Sequence, residues 1–140
     1  MVVKVKKLHK DAKLPTKGSE ESACWDLYAY SIEKDGWILK VHTGLAVEIP
    51  EGFFLDIRPR SGLSLTGLKI LNSPGTIDSD YRGEVIALIS VPDPNLRLPF
   101  KEGDRIAQVR LEKVWPTQFK EVEDLSSTKR GAGGFGSTGD

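Results

Sequence analysis

The chain has 140 residues with 20 basic and 20 acidic side chains, so its formal net charge is zero. That length suits one domain with a single sizeable core, and the charge balance excludes global steering toward nucleic acid or an anionic membrane, so any anion site is local. Cys24 is the only cysteine, which excludes an intrachain disulfide and fits the cytoplasm or another soluble, reducing compartment.

Residues 2–8 alternate loosely between valine and lysine, the pattern of an edge strand whose charges discourage further pairing. No apolar run there suits a signal peptide, and the run at 85–89 is too short to span a bilayer. Residues 11–22, polar and carrying Pro15 and Gly18, read as loop. Aromatic and aliphatic side chains at 23–30 favour a strand. Asp26 is the odd residue in it, and by itself suits a hydrogen-bonded strand carboxylate as well as a functional one.

Segments 38–41 and 44–49 predict two short strands around a turn, the second closed by Pro50-Glu51-Gly52. Phe53, Leu55 and Ile57 alternate with Phe54, Asp56 and Arg58, which predicts a half-buried strand running into Pro59-Arg60-Ser61-Gly62-Leu63. Ser61 is a natural N-cap there, and residues 62–66 have room for one or two helical turns before Gly67 stops them. Free amides at such a start, with Arg60 beside them, suit a phosphate; a plain capped helix with a solvated arginine has the same pattern.

Residues 75–84, Gly-Thr-Ile-Asp-Ser-Asp-Tyr-Arg-Gly-Glu, read as a tight hairpin turn that holds polar side chains against a ligand. Asp78 is the candidate general base that orders a water for attack, and Tyr81 offers a flat wall to a sugar or base. A solvated, inert hairpin has the same composition. Residues 84–91 read as a buried strand, 93–95 and 101–104 as turns, and 105–114 as a long strand in which Gln108 is a neutral amide among apolar neighbours.

From residue 125 the chain turns to serine, threonine and glycine, a tail costly to order and hence mobile without ligand. Its backbone can nonetheless wrap a polyphosphate, with Arg130, Ser137 and Thr138 as donors and Phe135 as a stacking plate. Zinc-binding and P-loop patterns are absent, and His9 and His42 lie outside every polar cluster of the sequence. Zinc hydrolysis, Ser-His-Asp catalysis and P-loop ATPase chemistry are therefore disfavoured.

Five segments, in order, resemble the five motifs of the trimeric dUTPase family. They are Ala23-Cys24-Trp25-Asp26-Leu27, then Pro59-Arg60-Ser61-Gly62-Leu63, then residues 75–83, then Gly103-Asp104-Arg105-Ile106-Ala107-Gln108, and finally residues 130–139. The resemblance implies an all-β, distorted jelly-roll or barrel-like subunit with one short helix. It implies a single domain over residues 1–124, with the glycine-rich tail 125–140 closing over the active site. It also implies a homotrimer, active sites at subunit interfaces, and no nucleic-acid or membrane partner. The implied reaction is Mg²⁺-dependent hydrolysis of dUTP to dUMP and pyrophosphate by water attack at the α-phosphate, which limits uracil in DNA and supplies dUMP for dTMP synthesis.

By position, Asp78 resembles the carboxylate that deprotonates the water, with Gln108 as a second catalytic group that also grips phosphate alongside Arg60, Ser61 and Gly62. Tyr81 resembles the aromatic under deoxyribose. Asn72, Gly75, Thr76 and Ile77 look like the uracil-reading segment. Asp26 is similar to the residue that holds the metal indirectly, through metal-bound water, and Arg130, Phe135, Gly136, Ser137 and Thr138 look like the closing tail. Cys24, Trp25 and Ser64 depart from the usual residues of the family. Two rivals stand beside this reading: a dCTP deaminase, which has a catalytic glutamate where this chain has Leu88, and a nucleotide-binding module without turnover.

Overall fold

Strands with one apolar face need a second layer to cover it. In the computed structural model, which describes residues 1–134, two five-stranded antiparallel sheets provide those layers. One contains β1 (Lys4–Lys7), β4 (Ser31–Asp35), β5 (Ile38–Glu48), β7 (Lys69–Ile70) and β9 (Glu84–Ser90). The other contains β2 (Thr16–Lys17), β3 (Trp25–Tyr28), β6 (Phe53–Pro59), β8 (Gly75–Ile77) and β10 (Arg105–Lys113). Among the described residues there is one helix, the four-residue α1 (Ser61–Ser64), which follows β6.

The first sheet is organised on β5, which pairs with β9 along one edge while β4 and β1 share the other, end to end. In the second sheet β10 is central, flanked by β3 and β6. Leu39, Val41, Ala87, Ile89, Ile106 and Ala107 are fully buried between the layers. Each large aliphatic side chain there contributes roughly 1.5–3 kcal/mol relative to exposure. The fold is thus nearly all β with one short helix, as its apolar periodicity requires.

Local details differ from the sequence reading in several places. The loop assigned to residues 11–22 contains the two-residue strand β2, and β4 follows Tyr30 with Ile32 as its one apolar side chain, too little for a period to register. Strand β9 is buried on one face only, through Val85, Ala87 and Ile89. Ser61 is not the N-cap. Arg60 occupies that place with extended backbone (φ −82°, ψ 148°) and no side-chain cap bond, because its guanidinium turns to Asp26. The turns at 93–95 and 101–104 form as their Asp and Gly residues predict.

The largest difference is β5, which is one strand of 11 residues instead of two. It passes through a bulge: β5 advances from His42 to Ala46 while its partner β9 steps only from Ile86 to Glu84. Side chains satisfy the backbone that the bulge frees. The Thr43 hydroxyl donates to Val85 O at 2.7 Å and accepts from Leu45 N at 3.3 Å, while Gly44 N donates to Glu84 Oε1 at 2.7 Å. Gly44 has φ +69°, and a Cβ on it would lie 2.9 Å from Ala12 Cβ and 3.2 Å from Tyr30 Cγ. Gly44→Ala is therefore expected to lose about 2–4 kcal/mol of stability through backbone strain and overpacking. Urea denaturation at matched protein concentration measures it, and an unchanged midpoint would show that the bulge tolerates a side chain.

Candidate active site

Two clefts collect most of the residues with functional chemistry, and they share no lining residue. The larger, about 630 Å³, is walled by Asn72, Gly75, Thr76, Ile77, Asp78 and Tyr81 together with Lys40, Glu84, Ile86 and Leu88. Residues 75–84 are not a hairpin. Strand β8 pairs with β6 in the second sheet, whereas β9 lies in the first, so residues 78–83 cross from one sheet to the other. This crossing opens the cleft, because the backbone between the sheets has no neighbouring strand to fill the space.

Each wall is held by identifiable bonds. The Asn72 side chain takes the place of a ladder pair, donating from Nδ2 to Ile86 O at 3.3 Å and accepting Leu88 N on Oδ1 at 3.0 Å. That leaves one N–H and one lone pair of the amide for a ligand. Gly75 and Ile77 are buried in β8, while Thr76 points to the second sheet's outer face, 3.4 Å from Asp56 Oδ1. Asp78 is exposed at the end of β8. Tyr81 is 46% exposed, yet its hydroxyl donates to Glu84 O at 3.1 Å. Its ring lies so close over Gly83 that a Cβ there would collide with it. Gly83 is thus the residue that lets the aromatic wall lie flat.

The smaller cleft is polar and is lined by Arg60, Gly62, Leu63, Thr66, Asp104 and Arg105, among others. Behind it sits Asp26, 3% exposed. Its Oδ1 accepts Arg60 Nε at 2.9 Å and Gln108 Nε2 at 3.2 Å, and its Oδ2 accepts Arg105 Nη1 at 3.3 Å. Arg60 also reaches Arg105 O at 3.4 Å and lines the cleft. Ser61 is exposed at the start of α1. Arg130 bends back on its own segment, donating to Gly133 O at 2.8 Å. Phe135, Gly136, Ser137 and Thr138 lie outside the described residues.

Sequence reasoning missed three participants. Arg105 stands within a quoted motif, but its pairing with Asp26 spans 79 residues. Glu84 and His42 were also missed. His42 is not outside the polar clusters: Nδ1 is 2.8 Å from Glu84 Oε2, and Nε2 is 3.6 Å from Glu33 Oε2. The hydrogen bond to Glu84 raises the His42 pKa above the ordinary histidine value against the opposing effect of burial. Alternation on β5 was the one available signal, since it places His42 on the face opposite Val41 and Thr43.

Comparison with known proteins bears on what such a pair of clefts does. The family model described as dUTPase matches residues 10–139. A deoxyuridine 5′-triphosphate nucleotidohydrolase of Nautilia profundicola is 46% identical over 142 residues, covering 99% of both chains. One from Hydrogenobaculum sp. is 43% identical over 144 residues, again covering 99% of both. Among solved structures, a Staphylococcus bacteriophage 80alpha dUTPase with dUPNHPP superposes with a TM-score of 0.83 at 27% identity, covering 99% of each chain.

Asp26→Ala strips the partner from two guanidinium groups. The expected loss is about 2–3 kcal/mol, below the usual figure for a buried pair because water screens the partly exposed arginines. Chemical denaturation measures this loss, and a variant as stable as the parent would show that Arg60 and Arg105 find equivalent partners elsewhere.

Proposed function

Because the chain belongs to the dUTPase family and is a dUTP diphosphatase, we propose that its larger cleft binds the deoxyuridine part of dUTP and that Asp78 activates the water that cleaves it. The observation that carries this reading is the juxtaposition of Asp78, Tyr81 and the tethered Asn72 around one cleft. Asn72 and the backbone of Gly75, Thr76 and Ile77 read the uracil edge, where cytosine presents donors and acceptors in reverse. Tyr81 packs under deoxyribose and leaves no room for a 2′-hydroxyl. Leu88 in the same wall is aliphatic and moves no proton, which disfavours deamination.

Asp78 accepts a proton from water as the oxygen attacks the α-phosphorus, the bond to the bridging oxygen breaks, and pyrophosphate leaves dUMP behind. Arg60, Ser61, Gly62 and Gln108 hold the phosphates, with Arg60 already aimed by Asp26. Among these residues Asp26 is the one that would hold a magnesium ion, indirectly and through one of the waters that magnesium tends to keep. Asp26 has acceptor capacity left on Oδ2, which holds one hydrogen bond, so it suits a metal-bound water. A magnesium ion held in this way through Asp26 would supply charge neutralisation on the phosphates. Through this reaction the protein removes dUTP from the pool available to DNA synthesis and supplies dUMP.

Separation of the two clefts supports a homotrimer in which Asp78 of one subunit meets Arg60 and Gln108 of another. So do Trp115, Phe119 and Leu125, exposed by 70%, 100% and 89%, and the buried Nε groups of Arg58 and Arg110, which lack hydrogen-bond partners among the described residues. We assign residues 1–124 to the catalytic domain and 125–140 to a closing segment, in which Arg130, Phe135, Gly136, Ser137 and Thr138 contact the γ-phosphate and base.

Asp78→Asn is expected to bind dUTP nearly as well as wild type while turnover falls roughly 10² to 10⁴-fold, since an amide holds the water but accepts no proton. Pyrophosphate release from dUTP, dCTP and UTP measures this together with base and sugar choice. Full activity in the variant would place the base elsewhere. Deleting residues 129–140 should leave a trimeric mass by light scattering and lower kcat far more than it raises KM, because closure serves the transition state. Wild-type turnover by the truncated protein would remove the closing segment from the mechanism.

A further inference from the structure

Glu84 follows the Tyr81-Arg82-Gly83 turn, and its two ends face different parts of the fold. Its carbonyl accepts the Tyr81 hydroxyl at 3.1 Å. Its carboxylate reaches the other way, into the β5 bulge, where Oε1 accepts Gly44 N at 2.7 Å and Oε2 lies 2.8 Å from His42 Nδ1. A half-exposed aromatic ring has little packing to hold it, and its orientation depends on where its polar tip is tied. Tyr81 is thus tied to a residue whose carboxylate anchors the start of β9 to the bulge.

We infer that Glu84 is a positioning residue for Tyr81: its carboxylate pins the start of β9 to the β5 bulge, which fixes the carbonyl that orients the aromatic wall, and protonated His42 tightens that pin. The inference rests on reading the larger cleft as the deoxynucleoside site. It involves no contact between Glu84 or His42 and the reacting atoms.

The charged groups facing His42 are Glu84 from β9 and Glu33 from β4, and Lys40 on β5 competes for Glu33 at 3.1 Å. Glu33 is itself held below the usual carboxylate range, chiefly by its hydrogen bond to Lys40. Its charge therefore persists throughout the range in which His42 titrates. Below its raised pKa the imidazolium donates to Glu84 and attracts it. As pH rises through that value, from the ordinary histidine value of about 6.5 upward, the attraction is lost. The grip on Tyr81 should loosen in the same window, so KM for dUTP should rise and discrimination against UTP should fall.

The test is pyrophosphate release from dUTP and UTP between about pH 6 and about pH 9, with melting temperatures, for wild type, Glu84→Ala, Glu84→Gln, His42→Asn, Tyr81→Phe and the double variant Glu84→Ala with Tyr81→Phe. Glu84→Ala and Tyr81→Phe are each expected to raise KM and lower the dUTP/UTP ratio about two- to tenfold, with kcat less affected, and the double variant to be no worse than either. Glu84→Gln should restore most of the KM at high pH, where its amide oxygen accepts from Gly44 and its NH2 donates to neutral His42 Nδ1, and should lose the tightening at low pH, where imidazolium and amide would present two donors to each other. His42→Asn should lose that tightening too. A folded Glu84→Ala with wild-type KM and discrimination, additive effects of Glu84→Ala and Tyr81→Phe, or an unaltered pH profile in His42→Asn would each overturn the inference. If Glu84→Ala does not fold, the profiles of Glu84→Gln, His42→Asn and Tyr81→Phe decide it. A wild-type protein that releases no pyrophosphate from dUTP overturns the substrate reading instead.

Discussion

A carboxylate taken out of water is tolerated only where donors occupy its oxygens, and Asp26 meets that condition with Arg60, Arg105 and Gln108. Those four residues come from β3, the start of α1 and β10, so one buried charge draws three separate segments into register. The same contact pre-aims Arg60. A guanidinium held at Nε has fewer rotamers to lose when a phosphate arrives, so less of the binding free energy is spent on ordering. It also explains how a chain of zero net charge concentrates positive charge locally: Arg60 and Arg105 converge on one cleft instead of being spread over the surface.

The second constraint is the β5 bulge. Continuous pairing of β5 with β9 would leave the Glu84 carboxylate no free backbone to bond, and the extra residues on β5 are what bring Gly44 N to it beside His42. The bulge is stable because Thr43 and Glu84 satisfy its backbone and because Gly44 carries no side chain to meet Tyr30 and Ala12. Strand geometry in one sheet thereby sets the start of β9, and the start of β9 sets the wall that Tyr81 forms. The crossing of residues 78–83 between the sheets completes the cleft, with Asp78 left exposed in its wall.

Much of this was readable from the residues. Period-two alternation located β6 and β10, glycine and aspartate located the turns at 93–95 and 101–104, and five ordered motifs carried the resemblance to a family that the whole-chain comparisons then established. Such signals are local: alternation follows from the pleat and turn preference from the dihedral angles of single residues. Where local signal was weak, as in β4 with its one apolar side chain, the strand was not visible.

What tertiary structure alone decided has a common physical cause, namely that the partner of each group lies far away in the chain. The composition of residues 42–44 suits a turn, and only Val85 O and Glu84, about forty residues on, turn it into a bulge within one long strand. Asp26 reads as an isolated strand carboxylate until Arg105, 79 residues later, is folded against it. His42 looks idle beside its sequence neighbours and is in fact paired across two strands. By itself the sequence determined which side chains were available and which backbone positions could turn. Sheet pairing determined which of them meet, because hydrogen bonds and charge interactions act over a few ångströms of space whatever the separation along the chain.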